Sequence, residues 1–208
     1  MQAYMKSAMP FHGVPTPALR KVCRMIFADV PLANATHWKA QVLALWRDAR
    51  FREERYAALE LAGHRRAEAF QTFSAMPVYE EMIVTGAWWD YVDDIAAHCV
   101  GPILHREPAR MRRKILAWSR SDDLWKRRTA ILCQLGFKAK TDHELLYTCI
   151  EPSLASSEFF LQKAIGWALR QYARTDPAEV RRYVQTHRAL LSALSRREAL
   201  KHIGGPLR

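Results

Sequence analysis

Apolar residues along the chain recur with a helical period. Trp38, Val42, Leu45 and Trp46 fall at spacings of four, three and one, the stripe of an amphipathic helix. No segment sustains the every-second-residue alternation of a strand. Glycine and proline fall between the periodic segments, at Gly13, Pro31, Pro77, Gly101-Pro102, Pro108, Pro152 and Pro177. Thr16 before Pro17 and Asp176 before Pro177 read as N-caps with proline at the first helical position. Thr141 to Glu144 has capping-box spacing.

The helical segments repeat. In "REERYAAL", "WDYVDDIAA", "WKRRTAIL", "FLQKAIGW" and "SRREALKH", polar residues precede a small residue and then an apolar one. The marker alanines are Ala57, Ala96, Ala130, Ala164 and Ala199, at intervals of 39, 34, 34 and 35 residues. One further helix fits beside each, over 36–47, 74–86, 107–119, 141–151 and 177–187. Two helices per 35–40 residues predict an all-α chain: an α-solenoid, a right-handed superhelix of HEAT-like repeats. The tetratricopeptide signature is not evident. A small residue lets neighbouring helices approach, and stacking lines up the residues before it as a concave groove. Those residues are Glu54 and Arg55, Asp93 and Asp94, Arg127 and Arg128, Leu161 and Gln162, and Arg196 and Arg197. The stripe is mostly basic, with one acidic patch.

The totals sharpen this picture. The 208 residues suit a single domain over 1–208, and half of them are hydrophobic, enough for a core without metals or disulfides. Lys and Arg number 32 against 21 Asp and Glu, a net charge of +11 that suits a nucleic-acid or acidic-membrane partner. No apolar run approaches a membrane span, no stretch reads as a signal peptide, and the basic residues are scattered rather than gathered on one amphipathic helix. The membrane reading therefore weakens, and a soluble cytoplasmic protein is expected. Cys23, Cys99, Cys133 and Cys149 form no CxxC pair, zinc pattern or iron–sulfur spacing, and are expected as reduced thiols in packed helices. No metal or cofactor is expected. There is no phosphate loop and no carboxylate cluster for metals, which disfavours phosphoryl transfer.

The acidic patch lies in "GAWWDYVDD". Trp89 and Asp93 are four apart and share a helix face, while Trp88 and Val92 form a neighbouring row expected to face the core. One reading makes Trp89 a core residue and Asp93 half of an ordinary salt bridge. The other lets Arg128, one repeat on, pair with Asp93 and hold it ionised, and brings Trp167 of "KAIGWALR" to the same spot. Two indole faces and a carboxylate would attract a cation that basic surroundings otherwise repel. Such a cation must arrive on something anionic, such as DNA carrying an alkylated base.

Five ordered segments carry a resemblance over nearly the whole chain: "PFHGVPTPALRK", "WWDYVDD", "LWKRRTAILCQL", "EFFLQKAIGWALRQYAR" and "LSRREALKHI". Together they resemble the AlkD-like family of HEAT-like-repeat alkylpurine DNA glycosylases. The resemblance implies a catalytic group of Trp89, Asp93 and Trp167, supported by Arg128. It implies DNA contacts from Tyr4, Thr16, Arg20, Phe159, Phe160, Lys163, Arg170 and Lys201, although Phe159 and Phe160 could instead pack in the core. Members of this family carry a further helix ahead of the segment matching Tyr4. This chain starts three residues before Tyr4, so that helix is expected to be missing or shortened.

The implied activity is excision of cationic N3- or N7-alkylated purines, 3-methyladenine and 7-methylguanine among them, from duplex DNA, without flipping the base. A purine bearing a full positive charge departs neutral and needs no general acid, in keeping with a patch that contains no histidine. Positive charge then develops on the sugar. Asp93 can stabilise it and hold the attacking water, and the indole faces can shield it from solvent. A non-catalytic binder of damaged or branched DNA and a protein-binding solenoid scaffold are the alternatives. The preferred lesion is left open; a monomer, associated with the nucleoid through DNA, is expected.

Overall fold

The computed structural model describes residues 2–203, so Met1 and 204–208 of the expected domain lie outside the described residues. The described chain is all helical and solenoid-like, and it divides into two compact units, Met1–Met82 and Ile83–Arg208. Within each unit, the helices expected between the marker segments are present within about two residues of their predicted ends.

The first unit holds α1 (Gln2–Met5), α2 (Thr16–Asp29), α3 (Ala35–Arg47) and α4 (Arg52–Ala62). Two short 3-10 turns follow, and α5 (Met76–Gly86) carries the chain onward. On α3, Trp38, Val42 and Trp46 are buried as the stripe predicts, while Leu45 at its edge stays exposed. Asn34 caps α3 by accepting from the His37 N–H at 2.9 Å. Thr16 is not a cap: α2 begins with Thr16, and Pro15 stands in the cap position without a side-chain acceptor. The alanine that α4 buries at the marker position is Ala58, one place after the predicted Ala57.

The start of α4 organises the segment before α2. Buried Glu53 accepts backbone N–H bonds from His12 at 3.0 Å, Gly13 at 2.9 Å and Val14 at 3.2 Å. Its neighbour Glu54 takes the His12 ring at 3.2 Å, and that ring stacks on Phe51. Gly13 has φ 83°, a left-handed turn that a residue with a Cβ would strain.

The second unit holds α6 (Trp89–Ile95), α7 (Gly101–Arg106), α8 (Pro108–Ser119), α9 (Leu124–Leu132), α10 (His143–Ile150), α11 (Phe159–Tyr172), α12 (Pro177–Thr186) and α13 (Ala193–Ala199). The helices of the marker segments stack in order, with Ala96 just past the end of α6: α6 on α9, α9 on α11, α11 on α13. Their partners α8, α10 and α12 pack alongside. Ala96, Ala130, Ala164 and Ala199 are all buried at these contacts. Ile131, Leu146, Leu161, Ile165, Leu169 and Val180 join one core. Each such side chain taken from water contributes about 1.5–3 kcal/mol.

Between α6 and α7 the helix continues through a π turn, Ala96–Val100, in which Gly101 N–H reaches Ala96 O. Pro102 has no N–H for the carbonyl four residues back, and the widened turn absorbs that loss. Asp176 caps α12 as expected, accepting from Glu179 N–H at 2.9 Å. At α10 the cap is Asp142 rather than Thr141; it accepts from Leu145 N–H at 2.9 Å, while Thr141 donates to Lys138 O. All four cysteines are free and buried. Burial pushes the thiols of Cys23 and Cys149 up to about 11 and about 12, and raises that of Cys133 well above its ordinary value. No described helix is long and apolar enough to cross a membrane.

Candidate active site

Asp93 sits on α6, one turn after Trp89, and its side chain is only 10% exposed. Arg128, from the middle of α9, grips it with two hydrogen bonds. Nε donates to Oδ1 at 2.7 Å and Nη2 donates to Oδ2 at 2.8 Å. The remaining nitrogen, Nη1, donates to the backbone carbonyl of Phe160 at the start of α11. One guanidinium thus ties α6, α9 and α11 together. A carboxylate offers about four lone-pair sites, so two stay available after this fork, enough to hold a water.

An aromatic wall stands beside the pair. The Phe160 ring lies 6.0 Å from the Arg128 guanidinium carbon and 5.4 and 5.1 Å from the rings of Trp88 and Trp125. Trp88 packs in this wall, next to the helix start, rather than deep in the core; it is half-buried. Trp89 and Trp167 are half-buried as well. Trp167 leans on the core of the second unit, two turns along α11 from Phe160. Neither Trp89 nor Trp167 stacks on another ring among the described residues. The structure therefore joins Asp93, Arg128 and Phe160 directly. It sets Trp89 and Trp167 on the helices that carry Asp93 and Phe160.

Asp93 is pulled two ways. Burial pushes its carboxyl above the ordinary carboxylate range; the hydrogen bonds and charge of Arg128 oppose that, and Asp90 and Asp94 add to it, leaving it raised. The sequence predicts only the lowering by Arg128, because burial is invisible in a spacing argument. Among the described residues, no group of three or more His, Cys, Asp or Glu could hold a metal ion.

The remaining candidates divide by exposure. Phe159 is 57% exposed and touches Phe160 edge-on at 5.5 Å. Lys163 and Arg170 both bind Glu198 of α13. Lys201 is exposed just past α13. In the first unit, Tyr4 is 77% exposed, and Thr16 and Arg20 lie exposed one turn apart on α2. Arg20 donates to Glu60 at 2.8 Å.

Sequence reasoning missed Trp125, the Phe160 carbonyl and Glu198. Glu198 had a signal: it stands 35 residues from Lys163, the same separation as the predicted pair Asp93 and Arg128. Opposite charges one repeat apart become neighbours when repeats stack.

Residues 1–203 match the profile of a family described as DNA alkylation repair enzyme. A solved structure described as a predicted DNA alkylation repair enzyme from Enterococcus faecalis is similar, with a TM-score of 0.86 and 29% identity, over 99% of this chain and 94% of that one. No curated protein matches the chain. With its match running through both units, the chain belongs to the DNA alkylation repair enzyme family.

Proposed function

We propose that this protein is a DNA glycosylase that hydrolyses the N-glycosidic bond of cationic N3- or N7-alkylated purines in duplex DNA, 3-methyladenine and 7-methylguanine among them. The observation that carries this reading is the buried fork of Arg128 on Asp93, fixed to α11 through the Phe160 carbonyl. A carboxylate held this rigidly needs no reorganisation when positive charge develops on the departing sugar, and preorganised charge of that kind is commonly the largest catalytic contribution.

In this reading the alkylated purine leaves neutral, taking the electrons of its bond to C1′. Asp93 stabilises the sugar cation and accepts a hydrogen bond from the attacking water. Trp89 and Trp167 present indole faces to the cation and keep bulk water away. Arg128 positions Asp93. Lys163, Arg170 and Lys201 lie in the unit that carries this group, and Tyr4, Thr16 and Arg20 supply exposed groups from the first unit for the DNA backbone. One family match through residues 1–203 supports treating the two units as a single working domain, and nothing in the chemistry requires a second copy or base flipping.

The test is release of free base from duplex DNA containing 7-methylguanine under single-turnover conditions. Asp93→Asn should slow release by roughly 10²-fold or more, as loss of one preorganised group does. A rate near wild type for that variant removes Asp93 from the chemistry. A wild-type protein that binds the duplex and releases nothing is a binder of damaged DNA.

A further inference from the structure

Lys163, Trp167 and Arg170 form one stripe of α11, at spacings of four and three. Across from that stripe, α13 comes unusually close. A Cβ on Gly166 would stand 2.5 Å from Glu198 Cβ and 2.9 Å from the Ser195 carbonyl oxygen, so only glycine fits. The approach sets Glu198 beside the tryptophan stripe. Its Oε1 accepts from Lys163 Nζ at 2.9 Å, and its Oε2 accepts from Arg170 Nη1. A single carboxylate, 14% exposed, thereby holds both cations that flank Trp167. These pairs are not the only tie between α13 and α11, because Ser195 Oγ also donates to the Gln162 carbonyl at 2.9 Å.

We propose that Glu198 is a specificity-determining positioning residue, which masks Lys163 and Arg170 from the phosphates of undamaged DNA and adds negative potential beside Trp167. The inference rests on the glycosylase reading above for the meaning of Trp167. Affinity for any duplex grows with the number of phosphates the protein neutralises, whatever the sequence or damage. A cation already paired contributes less to that general grip. A carboxylate beside an indole also favours a cationic base or sugar over a neutral one. Both effects lower binding to undamaged DNA relative to alkylated DNA, and that ratio decides how much of the protein is lost on the undamaged excess.

The experiment compares the full-length protein with Glu198→Gln on two duplexes of one sequence, undamaged or with a single 7-methylguanine, over a range of salt. The variant should bind undamaged duplex more tightly, with a log affinity against log salt slope steeper by about one to two units, the share of one or two added phosphate contacts. Its preference for the alkylated duplex should fall. Adding Lys163→Met should remove about one unit of the gained slope, and Glu198→Asp should keep much of the mask. An unchanged slope and affinity for undamaged duplex in Glu198→Gln overturns the proposal. If that variant unfolds, Lys163→Met and Arg170→Met in the wild-type background decide it. Masked cations leave the slope as it was, whereas a loss of about one unit from each means that both already reach phosphate and there is no mask. Absence of base release by the wild type would sink the glycosylase reading alone, since the slopes on undamaged duplex still measure the mask.

Discussion

Asp93 and Glu53 are both buried carboxylates, and their surroundings drive them in opposite directions. Burial pushes Asp93 up, and Arg128 only partly restores it. Burial acts on Glu53 too, but the N–H donors of His12, Gly13 and Val14, with its own, outweigh it and hold the carboxyl below its usual range. The two signs give opposite pH behaviour. The stabilisation from Glu53 is present above the ordinary glutamate range and is lost as pH falls through its lowered folded value. That from Asp93 is present below the ordinary aspartate range and is lost as pH rises through its raised one. In the proposed chemistry Asp93 works ionised, so activity is expected over the interval in which its own contribution to stability declines. Base release from 7-methylguanine duplex, corrected for spontaneous depurination, should therefore fall on the acid side with a midpoint above the ordinary aspartate value of about 3.9. A midpoint at or below that value would mean that burial does not govern Asp93.

At the scale of helices, the repeat spacing reappears as the sequence separation of cross-helix contacts. Lys39 to Ser74, Asp93 to Arg128 and Lys163 to Glu198 are each 35 residues apart, and Arg47 to Glu81 is 34. For this reason the helices and their order were legible from the hydrophobic stripes and marker alanines alone. The π turn was not, because it depends on how Pro102 is accommodated inside a continuing helix. Nor was the true cap of α10, where Asp142 and Thr141 offer similar side-chain acceptors to the same helix start. Of the site, the pairing of Asp93 with Arg128 could be read from spacing. The wall of Trp88, Trp125 and Phe160 could not, since aromatic residues at helical spacing look the same whether they line a core or a cleft. One packing contact is testable at this scale. A Cβ at Gly101 would sit 2.4 Å from the backbone oxygen of Cys133, which cannot swing aside as a flexible side chain can. Gly101→Ala should cost about 1–3 kcal/mol in chemical denaturation, the range for overpacking a tight contact. An unaltered midpoint would show that the helix after the π turn has room to move.

Charge is a property of the whole molecule, and the count of 32 Lys and Arg overstates what a duplex can use. Arg20, Arg47, Arg112, Arg128, Lys163, Arg170 and Arg182 already hold carboxylates. Binding to undamaged duplex should still weaken steeply with salt, at about 0.9 log units of affinity per log unit of salt for each phosphate neutralised. Affinity independent of salt would exclude the phosphate backbone as the main contact. The cysteines have a consequence of their own. Reagents that methylate purines are electrophiles, and the thiolate is the form of cysteine that reacts with them. Here every cysteine lies buried, and burial keeps three of the four thiols firmly protonated. A repair protein made this way is shielded, at its thiols, from the same chemical exposure that calls for it.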